Sequence, residues 1–171
     1  MIQVLRGIVA LPKPVIAQID GNVRAGGMGI VGACDIVVAG PASSFALTEA
    51  RLGLAPFMIS LTLLPRLTSR AAARYYQTGE TFDAAEAERI GLITVAAADP
   101  TAEVSRLCGE LRKSSPQGLA ESKRLVNGAL LAEFDRGADE LARRSASYFG
   151  TPEVIEGMTA FFQRRPPSWA E

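Results

Sequence analysis

Residues 20–35 read DGNVRAGGMGIVGACD, a run in which small residues leave much of the backbone bare. Within it GMGIVG, residues 27–32, spells the G-x-G-x-x-G of dinucleotide-binding turns. That reading needs the first glycine close behind a strand and an acid at the end of the next strand to grip a ribose. Here residues 21–26 separate Asp20 from Gly27, and the next apolar segment, IVVA at 36–39, carries its acid, Asp35, at the wrong end. Both tests fail. Two other readings stay open. The glycines pack a tight strand-to-helix turn, or a helix starting at Gly26 and Gly27 presents free N–H groups and its positive dipole end to a ligand. In the second case a carbonyl can approach the bare backbone, and one main-chain donor stabilises a developing enolate oxygen by about 2.7–4 kcal/mol.

Enolate chemistry also needs a group that moves a proton, and the composition narrows the choice. The chain holds no histidine, so Ser–His–Asp and Cys–His triads are excluded together with histidine-ligated metal sites. Carboxylates, lysines and tyrosines remain, and no metal site is expected. Cys34 and Cys108 form no C-x-x-C pair. Cys108 shares a helical face with Val104, Leu107 and Leu111, which points to a buried, inert thiol. Eighteen basic side chains balance eighteen acidic ones, so no overall field draws nucleic acid or an anionic membrane. No apolar run is long enough to span a bilayer, the opening MIQVLRGIVALPKP lacks a signal-peptide cleavage region, and a cytoplasmic protein is expected.

The elements that must position this chemistry follow from periodicity and turn signals. PVIAQI at 14–19 and IVVA at 36–39 read as short buried strands, and SFALTE at 44–49 as a third that ends on Glu49. The helix between the first two has its N-terminus in RAGG. An apolar segment over 58–67 is interrupted by Pro65. Thr68 or Ser69 then caps RAAARYYQ, which Gly79 stops, and Asp83 with Glu86 forms an N-cap pair for AAEAERI, which Gly91 ends. Ser115-Pro116 opens a longer helix with Leu119, Val126, Leu130 and Phe134 on one face; Leu141, Ser145, Tyr148 and Phe149 follow. Thr151-Pro152 opens the last helix, with an apolar stripe of Ile155, Met158, Phe161 and Phe162. Strands crowd into the first 50 residues or so and helices into the rest. A strand-rich beginning is expected to be missing or supplied by a partner, because so few strands make a poor sheet.

KPVIAQIDGNVRAGGMGIVGACDIVVAG, SFALTEARLGLAP and ARYYQTGETFDAAEAERIGLI, in that order, resemble the enoyl-CoA hydratase/isomerase (crotonase) family. The resemblance starts near Pro12 and covers essentially the whole chain from there. It implies an α/β fold, the C-terminal portion of a crotonase-like ββα spiral over residues 1–95, with a helical trimerisation region over 96–171. It also implies a homotrimer or dimer of trimers, an acyl-CoA substrate, and no cofactor beyond the CoA carried by that substrate. The first part of the family fold, with its adenine contacts and first oxyanion donor, is expected to be absent.

By the same resemblance Gly26 supplies the second oxyanion N–H, with Ala25 standing where relatives carry glycine. Of the two carboxylates that hydrate a double bond in typical relatives, one position is Gly29 here and the other is Glu49. One carboxylate therefore survives, an arrangement similar to the isomerase branch. Phe57 stands where relatives turn on glycines, and it narrows or lines the acyl pocket or else simply packs at a helix start. Phe161 and Arg164 match a segment that reaches the CoA of a neighbouring subunit; a solvated basic helix end is the plainer alternative. The expected activity is hydration or isomerisation of an enoyl-CoA through Glu49 and the Gly26 amide. The alternative is a partial protein, weak or inactive, serving as an assembly piece.

Overall fold

The computed structural model describes residues 1–170. It opens with α1 (Ile2–Ala10), an element not expected from the sequence, which buries Leu5 and Val9. β1 (Ile16–Ile19) follows, then β2 (Asn22–Arg24), α2 (Gly26–Ala33), β3 (Ile36–Ala39) and β4 (Ser44–Ala46). A one-turn 3-10 helix (Glu49–Leu52) leads to α3 (Ser60–Leu63) and α4 (Ser69–Thr78). Next come β5 (Phe82–Asp83), α5 (Ala84–Arg89), β6 (Val95–Ala96) and α6 (Pro100–Leu111). The chain then runs through α7 (Pro116–Tyr148) and α8 (Pro152–Gln163).

Two small sheets form. β1, β3 and β6 pair in parallel, with Ile16 opposite Ile36 and Val38 opposite Val95. β2 runs parallel to β4, and β5 joins β4 antiparallel. Strands thus occur beyond residue 50, contrary to expectation. β5 and β6 are two residues each, too short for an alternation to register. The core joins Leu5 and Val9 to Met28 of α2, Phe45 of β4, Tyr75 of α4 and Leu130 and Phe134 of α7.

Capping explains the helix boundaries. Thr68, Asp83, Asp99 and Ser115 each accept a bond from an N–H in the first turn of the helix they precede. The Glu86 carboxylate does not reach back to Asp83. It is held by Arg89 and the Tyr75 hydroxyl, which push its pKa down to about 2.

The segments read as separate pieces over 116–149 merge into one 33-residue helix, α7. Its buried face runs through Lys123, Asn127, Leu130, Phe134 and Ala138, leaving Val126 exposed. Lys123 forms an ion pair of 2.7 Å with Asp35 and donates to the Ile8 and Lys13 carbonyls. Asn127 donates to Asp35 and the Val9 carbonyl. One end of α7 is thus bound to α1 and to the start of β3.

α8 also differs from expectation. Its bulky stripe of Ile155, Met158, Phe161 and Phe162 is exposed, while Val154, Gly157 and Ala160 face inward. A Cβ on Gly157 would lie 2.6 Å from the Leu52 carbonyl carbon, so small size brings the two backbones together. Cys108 is only half-buried; Cys34 is the buried thiol, and burial raises its pKa.

Among the described residues no helix is long and apolar enough to cross a membrane. None of their His, Cys, Asp and Glu side chains gather in a group of three or more able to hold a metal ion.

Candidate active site

β2 delivers the chain to the glycine loop. Arg24 fastens the foot of that loop by donating to the Val23 and Ser44 carbonyls and to Ser44 Oγ. Ala25 then takes φ 48°, ψ −126°, a backbone conformation that ordinarily calls for glycine. This reversal starts α2 at Gly26, and the Met28 N–H closes on the Ala25 carbonyl at 3.0 Å. The Gly26 amide precedes that bond and is among those a helix leaves without an intrahelical acceptor. Gly26 lines a cavity of about 220 Å³. A Cβ added to it would lie 2.4 Å from Met1 Cε, so the Met1 side chain rests over this backbone.

Glu49 reaches the same cavity from β4, which runs parallel to β2 in the second sheet, at the first residue of the 3-10 turn that follows that strand. The Leu54 N–H bonds its carbonyl at 2.9 Å and fixes the turn. Glu49 Oε2 is buried and has no hydrogen-bond partner among the described residues. Burial pushes the carboxyl pKa up, against a smaller lowering by its own backbone N–H. A carboxyl with this history holds its proton to higher pH and binds one more strongly than an exposed glutamate does.

Ala25 and Phe57 line the cavity as well. The Phe57 ring lies 5.1 Å from that of Tyr148 and under Arg144, whose Cζ is 5.0 Å from the ring centre. The end of α7 thus grips Phe57. Gly29, by contrast, is buried away from the cavity: a Cβ there would lie 2.5 Å from Ile59 Cγ2 and 3.3 Å from Leu5 Cδ1. The space that a side chain at 29 would enter belongs to Ile59.

Phe161 borders a different cavity, of about 270 Å³, with Thr48, Arg51 and Gly157. Arg164 ends α8 in a left-handed conformation, φ 54°. These two are not brought to the cavity of Gly26 and Glu49.

Reasoning from sequence overlooked four residues here. Ser145 and Phe149 line the cavity from the end of α7; helical spacing grouped them but gave no partner for that face. Tyr76 donates to Ser60 Oγ at 3.2 Å, and Ser60 donates to the carbonyl of Pro56, a lining residue, at 2.6 Å. Burial, against a lowering by the bond to Ser60 and with a smaller push from the nearby Glu49 charge, raises the Tyr76 pKa to about 12.

Comparison with known proteins bears directly on this arrangement. A family model for Enoyl-CoA hydratase/isomerase matches residues 1–171, so the likeness takes in the residues ahead of Pro12 as well. The crotonyl-CoA hydratase of Syntrophomonas wolfei is 31% identical over 166 residues, 95% of this chain and 64% of that protein. An enoyl-CoA hydratase structure from Mycobacterium avium superposes with a TM-score of 0.97 at 60% identity, covering 98% of this chain and 67% of that one. The carnitinyl-CoA hydratase structure from the same species gives 0.84 at 28% identity, over 95% of this chain and 66% of that one. The chain therefore spans about two thirds of the length of these relatives. The likeness in fold extends over nearly all the described residues, and the chain belongs to the enoyl-CoA hydratase/isomerase family.

Proposed function

We propose that the chain acts on an enoyl-CoA thioester, with the Gly26 amide polarising the thioester carbonyl and Glu49 moving the proton. The observation that carries this reading is the meeting of Gly26, at the start of α2, and the partnerless Glu49 Oε2 in one largely apolar cavity. As negative charge develops on the thioester oxygen, a fixed amide and the helix dipole stabilise it. Glu49, its pKa raised by burial, is a stronger base than an exposed carboxylate and a reservoir for the proton it takes. The CoA belongs to the substrate, and no separate cofactor enters the proposal.

The test is Glu49→Gln with crotonyl-CoA as substrate. We expect turnover to fall by about 10²–10⁴-fold, the usual contribution of general acid–base help. Turnover equal to that of the unaltered chain would remove Glu49 from the mechanism.

A second reading, an assembly piece with little or no turnover, draws support from Met1, whose side chain lies over Gly26. Hydration by the purified chain at rates near those of a full-length relative would refute it. Assembly into trimers is consistent with the exposed Ile155, Phe161 and Phe162 on α8. In such an assembly Phe161 and Arg164 would meet the CoA of a neighbouring subunit.

A further inference from the structure

Apart from Glu49 and one hydroxyl, the side chains that line the cavity are apolar, the thioethers of Met1 and Met58 included. Around Glu49 stand Leu54, Ala55, Met58, Ile59 and Phe149, and the exception is Ser145 on α7. A serine inside a helix ordinarily bends back onto a carbonyl of the preceding turn. Ser147 does so, donating to the Arg144 carbonyl at 2.8 Å. Among the described residues Ser145 Oγ has no such bond, nor any other side-chain or main-chain partner.

The position is also fixed. Arg144 and Tyr148, on either side of Ser145 along the helix, both rest on Phe57. Two polar side chains, one carboxylate and one hydroxyl, thus share an apolar cavity with room for about seven water molecules at the volume each takes in the liquid. Of the two, Glu49 Oε2 is buried, where an unpaired polar atom is costly unless a bound molecule supplies a partner, while the half-buried Ser145 leaves its hydroxyl open to a water in the cavity. The place of a second carboxylate is closed, because Ile59 occupies the space beside Gly29.

We infer that Ser145 is a further catalytic residue, whose hydroxyl holds the water that adds across the enoyl double bond opposite Glu49. The inference rests on the enoyl-CoA reading given above. Ser145 Oγ accepts the hydrogen that the water keeps. The water oxygen bonds to C3, the C2–C3 π pair moves toward the thioester to form the enolate, and the other water hydrogen passes as a proton to the Glu49 carboxylate. Glu49 then returns that proton to C2 and the enolate collapses. One water is consumed, one C–O and one C–H bond form, and Glu49 ends as it began. The chemistry is therefore hydration, with a hydroxyl doing part of the work of the missing carboxylate.

Two assays on the full chain separate this inference from the reading beneath it. Exchange of the C2 hydrogens of butyryl-CoA in D2O, followed by proton NMR, needs Gly26 and Glu49 but no water at C3. Hydration of crotonyl-CoA needs all three. Alanine is the strongest helix former, so Ser145→Ala should keep the fold. We expect S145A to lower the hydration kcat by about tenfold, the loss of one hydrogen bond in the transition state, with exchange unchanged. Equal loss of exchange and hydration would make Ser145 a packing residue and overturn the inference, as would unaltered hydration. Exchange without hydration in the unaltered chain would sink the inference alone. Absence of both reactions would sink the enoyl-CoA reading first and the role of Ser145 with it.

Discussion

The Glu49 carboxyl has one oxygen buried without a partner, and burial raises its pKa above the ordinary 4.5. Its folded state therefore favours the protonated form. The stability it contributes is fully present below pH 4.5 and is lost as the pH rises through the raised folded value. Glu49→Gln removes that titration. Thermal melts of the two proteins across pH should show the variant gaining on the unaltered chain as the pH climbs above 4.5, with no further change once Glu49 is fully ionised. A melting-temperature difference that is flat from acid to neutral pH would mean that the carboxyl is solvated after all. Glu49 was legible in the sequence because a motif ends on it. Ser145 was not, since a serine among helical residues carries no mark of which cavity its helix will border.

At the scale of elements, the turn from β2 into α2 depends on Ala25 holding φ 48°. Such a conformation costs a residue with a Cβ about 1–3 kcal/mol, while glycine's freedom in the unfolded chain offsets up to about 1 kcal/mol of any relief. Ala25→Gly is expected to stabilise the protein by about 1 kcal/mol, read from urea unfolding. A less stable variant would show that the turn is unstrained. The sequence announced α2 through its glycines and the helices from Ser69 onward through their caps, because those signals are local. It hid β2 inside the same glycine run, where three residues make no periodic pattern. It hid α1 as well, whose buried Leu5 and Val9 are recognisable only once a neighbouring helix faces them. In α8 the bulky residues suggested the inward face, yet Gly157 and Ala160 pack inward because closeness of backbones, rather than side-chain volume, decides the contact.

Across the whole molecule, the buried pair of Asp35 and Lys123 joins the first sheet, α1 and α7. Lys123→Met leaves the part-buried Asp35 with only the Val15 amide and Asn127 to face it. Removing one partner of a buried pair costs about 3–5 kcal/mol, and urea unfolding of K123M should show a loss of that size. A loss below about 1 kcal/mol would mean that water already screens the pair. No periodicity could have shown this pair, because its members are far apart in the chain and a lysine on a helix ordinarily signals solvent.

α7 is also a lever. Its pivot is Lys123, and its working tip, Ser145, stands roughly 33 Å farther along the helix axis at 1.5 Å per residue. A tilt of about two degrees at the pivot swings the tip by about 1 Å, an error that can slow a reaction by about a hundredfold. Catalytic alignment is thereby exposed to mutations far from any substrate, and the angular tolerance of a single helix sets how well the hydroxyl and the carboxylate meet.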